Sequence, residues 1–191
     1  MAYEKVIELT GLEFTKKIPV IYEPSHNEEV YPQAPAHASS LSVYLGADYF
    51  TYTRDEQIKI LQHEITHVIL DTFFGNQYVF ILNEGILVYL EENKIIPGTS
   101  GLKANIDDYI NFTYFDLYLN YDYYYDNDLI SPLYTLGGEF TGFWCETYGM
   151  ENFFSLFKEA YVSNVKEMIE KYGNASYEEI INDFIQSERS T

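Results

Sequence analysis

The segment Thr53-Arg54-Asp55-Glu56-Gln57-Ile58-Lys59-Ile60-Leu61-Gln62-His63-Glu64-Ile65-Thr66-His67-Val68-Ile69-Leu70 reads as one helix from its first residue. Thr53 with Glu56 three places later is a capping box, which satisfies two of the orphan N–H groups at a helix start. Ile58, Leu61, Ile65, Val68 and Ile69 then recur at helical spacing and make an apolar stripe. At ~100° per residue, His63 and His67 lie nearly opposite that stripe, one turn apart on one face. Ile60, Leu70 and Phe74 flank them, so the helix is expected to be buried all round, between two layers. Gly75 is a suitable residue for its end.

His63-Glu64-Ile65-Thr66-His67 has the form H-E-x-x-H. Two imidazoles at i and i+4 reach one metal ion, and the adjacent Glu64 is placed to work on a water that the ion activates. With 4 His in 191 residues, the composition gives roughly 0.01 accidental matches to this pattern.

A catalytic zinc with one open position needs a third protein ligand. The extension H-E-x-x-H-x-x-G-x-x-H would require Gly at 70 and His at 73, where the chain has Leu70 and Phe73. His26 and His37 stand in a Pro-, Asn- and Ala-rich stretch, where a histidine is more often solvated than a ligand. Glu84, in Asn83-Glu84-Gly85, follows His67 by 17 positions, enough for a helix end, a turn and a returning helix. Gly85, lacking a Cβ, would let that second helix pack closely on the first.

His63-Glu64-x-x-His67 followed by Asn83-Glu84-Gly85-x-x-x-Tyr89-x-Glu91 resembles the gluzincin, or thermolysin-like, zinc metallopeptidases, and most of all the small bacterial members whose second helix reads E-G-x-A-x-Y. The stretch Tyr134 to Phe140, then Phe143-Trp144 and Glu146-Thr147-Tyr148-Gly149, is similar to the aromatic helix that follows the metal helices there. The resemblance spans roughly residues 41 to 160. Leu87 stands where the family often has Ala, and no histidine occurs late in the chain. The resemblance implies a single α+β, zincin-like domain over 1–191. In it a small N-terminal mixed sheet packs on the metal-binding helix, and the C-terminal part is mainly helical. It also implies Zn²⁺ held by His63, His67 and Glu84, and a peptide or protein substrate.

Length and composition agree with one globular domain, hydrophobic residues making up 47% of the chain. The net charge of -19 argues against nucleic acid, which is bound by neutralising phosphates, and against anionic membranes. No apolar run approaches the 18 residues of a membrane span, and Met1-Ala2-Tyr3-Glu4-Lys5 lacks the pattern of a signal peptide. Cys145 is the only cysteine and reads as a buried apolar residue.

Along the chain, Lys17 to Tyr22 reads as a strand with an early proline, 24 to 40 as a long loop, and Ser40 to Gly46 as a half-exposed strand. Pro97-Gly98 breaks the second metal helix, and 106 to 119 reads as helical. Tyr121 to Asp128 is a Tyr/Asp run. Its acids Asp122, Asp126 and Asp128 lack the glycine and terminal glutamate of an EF-hand, so a solvated aromatic loop is the better reading, or a lip of a substrate cleft. Helices are expected near Gly138 to Tyr148 and Glu151 to Val162. A last one begins at a second capping box, Ser176-Tyr177-Glu178-Glu179, with Ile180, Ile181, Phe184 and Ile185 as its apolar face.

These residues predict a metal-assisted hydrolysis. Glu64 would act as general base, Asp71 could orient a ligand, and Tyr134 could donate to the oxyanion. The strand at 41 to 46 could accept an extended peptide by β-augmentation. Two other functions suit the same residues: a metal-bound but proteolytically silent interaction module, and a hydrolase of non-peptide amides. Zinc binding alone does not need Glu64, which speaks against the first.

Overall fold

The computed structural model describes residues 7, 11–24, 35–39, 41–75, 79–90, 119 and 127–190, with the side chains of 127–133, 189 and 190 outside the description. Within these the chain is α+β, mostly helical with a small mixed sheet. It divides into two compact units, one holding residues 1–76 and the other 77–95 and 99–191, with 96–98 assigned to the first.

The first unit is built on strands β1 (Val20–Tyr22), β2 (Ala36–Ser39) and β3 (Ser42–Leu45), in the order β1-β3-β2. β1 runs parallel and β2 antiparallel to β3. The proline of the first strand stands just ahead of the paired residues, and its carbonyl accepts the Val43 N–H at 2.9 Å. It thus contributes the one backbone group a proline still has. β2 falls inside the stretch expected to be loop. Ala36-His37-Ala38-Ser39 carries little strand signal of its own, and its pairing with Val43 to Leu45 supplies what local preference does not.

A 3₁₀ turn at Ala47–Thr51 leads into helix α1 (Arg54–Phe74). Its capping box is complete: the Thr53 N–H and hydroxyl donate to Glu56 at 2.8 and 2.7 Å, and the Glu56 N–H returns to the Thr53 hydroxyl at 3.4 Å. Those bonds hold the Glu56 carboxyl below its ordinary range. The helix ends at Gly75, whose φ of 81° few other residues adopt and whose N–H donates to the Asp71 carbonyl. α1 lies mainly over β2 and β3. Val68 and Ile69 are fully buried there with Val43, Leu45 and Ala36, and Leu61 and Ile65 pack against them. Ile58 shares their face by angle but is 38% exposed in the first turns, and Ile60 is buried in its stead. With α1 over the other two strands, β1 is left with all three residues exposed.

The strand at 42–45 is therefore the middle of the sheet. Both its edges are taken by β1 and β2, and it cannot add a peptide strand as the sequence suggested. Sequence alternation shows which face is buried but not which strand lies at the rim.

The second unit contains α2 (Phe80–Leu90), α3 (Asn127–Tyr148), α4 (Met150–Glu159), α5 (Val165–Gly173) and α6 (Tyr177–Ser190). α3 begins eleven residues earlier than the Gly138 expected, so Asn127 and Asp128 at the end of the Tyr/Asp run are already helical. The rest of that run, the 106–118 segment and Pro97-Gly98 lie outside the described residues. Phe140, Phe143 and Trp144 of α3 form an aromatic cluster with Phe184 of α6, Phe140 meeting Phe184 edge-on at 5.4 Å. The Trp144 indole N–H donates to Asn152 Oδ1 at 2.9 Å, and Asn152 donates to the Tyr172 carbonyl at 3.0 Å, so α4 ties α3 to α5. α5 was not anticipated. It has only nine residues, its apolar positions Val165, Met168 and Ile169 make a single turn of pattern, and Asn174 in the left-handed region ends it. The second capping box is also present, Ser176 donating to Glu179 at 2.7 Å, and Ile180, Ile181, Phe184 and Ile185 are buried as expected.

Two titratable groups on these helices are displaced. Burial and Glu146 push the Cys145 thiol up to about 12, so it stays protonated and unreactive. Burial, with Glu139 and Glu146 nearby, raises the Glu188 carboxyl to about 7. A carboxyl whose folded value lies above its unfolded one costs stability once it ionises. Nothing is lost below the ordinary value of 4.5, the loss grows as pH rises toward about 7, and it is complete above. Glu188→Gln should therefore raise the thermal midpoint at pH 8 and leave it unchanged at pH 4; an equal shift at both would assign the effect to packing.

Candidate metal centre

α1 carries His63, Glu64 and His67, the two histidines one turn apart on one face. His63 and Glu64 are buried, at 5% and 9% exposure, and His67 is half-buried. The two imidazoles meet edge-on with centroids 4.8 Å apart, a consequence of the i, i+4 spacing. Between them, Thr66 is also buried and spends its hydroxyl on the Gln62 carbonyl at 2.9 Å, leaving the metal-type donors to the histidines.

α2 is apolar nearly all round. Phe80, Ile81, Leu82, Ile86, Leu87, Val88 and Leu90 are buried, and Glu84, at 6% exposure, is the acid among them. One ligand atom each from His63, His67 and Glu84 lie within 4.8 Å of one another, and this group can hold a metal ion. Two imidazole nitrogens and a carboxylate oxygen are the donor set of a three-ligand zinc site with one position open. Bonds of ~2.0–2.2 Å about one ion place such atoms roughly 3–4 Å apart.

The other candidates fall elsewhere. His37 is on β2, its ring stacked on its cross-strand partner Tyr44 at 5.0 Å, so sheet packing accounts for it. His26 lies outside the described residues. Tyr134, on α3, is half-buried and meets the Phe80 ring edge-on at 5.4 Å, and Phe80 is one turn before Glu84 on α2. Gly85 does not serve the packing expected of it. Its close neighbours are Gly137 and Thr141 of α3. The sequence signal for this was present as Gly137-Gly138 in a helical pattern, but nothing in one sequence tells which helix a bare glycine faces.

Comparison with protein-family models, with curated proteins and with solved structures gives no match for this chain.

Proposed function

We propose that the chain is a zinc-dependent metallopeptidase of zincin-like fold and gluzincin type. The observation that carries the reading is the convergence of His63, His67 and Glu84, with Glu64 buried beside the first of them. Glu84 is held at 6% exposure, and a carboxylate with two neutral imidazoles is a donor set that binds zinc. Zinc bound there supplies Lewis acidity toward a water and toward the scissile carbonyl. Glu64 takes the proton of the attacking water at its carboxylate and returns it to the nitrogen of the leaving amine. Its burial keeps the transferred proton from bulk solvent. Tyr134 donates its hydroxyl to the oxyanion as it forms.

The substrate in this reading is an extended peptide. It adds to β2, an edge strand of the sheet that packs against α1, on the side where no strand pairs among the described residues. Main-chain hydrogen bonds along such an edge recognise any extended peptide, and side-chain selectivity is then secondary. Zinc analysis of the purified protein together with cleavage of a peptide library tests the proposal. One bound zinc and cleavage abolished by chelation and restored by zinc are expected. Bound zinc without cleavage of any peptide would leave a silent module or a hydrolase of other amides.

Tyr134→Phe should lower kcat and kcat/KM together with little change in KM, since an oxyanion donor acts mainly in the transition state. One such donor is typically worth ~10²–10³ in kcat. Unchanged kinetics would leave Tyr134 as the edge-on packing partner of Phe80.

A further inference from the structure

α2 and α3 meet backbone against backbone, and the contact involves the residue next to Glu84. A Cβ added to Gly85 would stand 2.6 Å from the Gly137 carbonyl carbon, and closer still to its oxygen, and 2.9 Å from the Thr141 hydroxyl. A Cβ added to Gly137 would stand 2.7 Å from the Ile81 carbonyl oxygen, 3.0 Å from the Gly85 Cα and 3.2 Å from the Gly85 nitrogen. Ile81 and Gly85 are one turn apart on α2, and Gly137 and Thr141 one turn apart on α3. The two helices thus touch over a full turn, backbone against backbone. Gly142, further along α3, is different: a Cβ there would meet only the Tyr89 ring, at an ordinary 3.5 Å.

We propose that Gly137 is a positioning residue for the metal centre, setting the depth of α2 and through it the place of the Glu84 carboxylate. This rests on the metal reading of His63, His67 and Glu84. Helix backbone has no rotamer to turn away, so a methyl group at 137 moves α2 bodily. Core elements relax only in part around such an insertion. Metal ligands tolerate about 0.2 Å of misplacement, much less than the overlap a Cβ at 137 creates. Glu84 shares a peptide bond with Gly85, so a shift of the helix axis carries its Cα along. The two histidines come from α1 and are untouched by the substitution.

The test is a cycle of zinc affinities on the full chain: wild type, Gly137→Ala, Glu84→Ala and the double variant, with circular dichroism confirming the fold of each. Gly137→Ala should weaken zinc about 10–100-fold, the range found when a group supporting a metal ligand is altered. In the Glu84→Ala background the same substitution should change nothing, because the ligand it acts through is gone. Gly142→Ala should bind as wild type. If Gly137→Ala does not fold, Thr141→Ile, which presses on Gly85 through a side chain able to rotate, enters the cycle in its place with a smaller effect of the same sign. Equal losses with and without Glu84, or wild-type affinity in the folded variant, overturns the positioning role. No zinc in the wild type, by contrast, overturns the metal reading itself.

Discussion

The Glu64→Gln protein is expected to keep its zinc and its thermal midpoint and to lose nearly all hydrolysis, by ~10²–10⁴-fold in kcat. The amide fills the same volume as the carboxylate and keeps one acceptor oxygen, but it cannot take up a proton from water. Glu64 is 9% exposed on α1, one residue beyond His63, so the substitution leaves the histidine spacing and the sheet contacts of Val68 and Ile69 undisturbed. Folding should be insensitive or slightly improved, since a buried amide costs less to desolvate than a buried charge. The measurement is single-turnover hydrolysis of a cleaved library peptide, with zinc stoichiometry determined on the same sample. A variant that turns over at the wild-type rate with zinc in place would move the base elsewhere.

The candidate site was legible because H-E-x-x-H is a local pattern. Both histidines, Glu64 and the capping box fall within fifteen consecutive residues, and helical geometry alone brings the two histidines to one face. Glu84 was legible more weakly, as an acid in an apolar helix. The interior of the second unit was legible where the pattern ran for several turns, as in α3 and α6, and not in α5, whose nine residues give one turn of periodicity. What the sequence did not carry were pairings between distant segments. That Ser42–Leu45 is the central strand depends on Val20–Tyr22 and Ala36–Ser39 lying on its two sides. That Gly85 meets Gly137 depends on a helix fifty residues away. Each rests on one partner among many of equal local merit.

Glu84→Ala should lose zinc at concentrations that saturate the wild type. Structural zinc sites in small domains gain about 10–16 kcal/mol from four ligands, so one ligand carries roughly 3 kcal/mol, a hundredfold or more in affinity. Loss of metal alone does not separate a ligand from a residue whose removal damages α2, and the packing of that helix makes damage the obvious objection: seven of its apolar side chains are buried around Glu84. The metal-free proteins separate the two. Without zinc, the wild type holds Glu84 at 6% exposure, where a carboxylate is costly to desolvate. Glu84→Gln retains its shape without its charge. If Glu84 is a metal ligand, zinc-free Glu84→Gln should unfold no lower in temperature than zinc-free wild type, and added zinc should raise the wild-type midpoint alone, because a ligand that binds the native state stabilises it by mass action. Equal stabilisation of both proteins by zinc, or full zinc occupancy in a folded Glu84→Ala, would remove Glu84 from the centre and leave the two histidines of α1 in need of another partner.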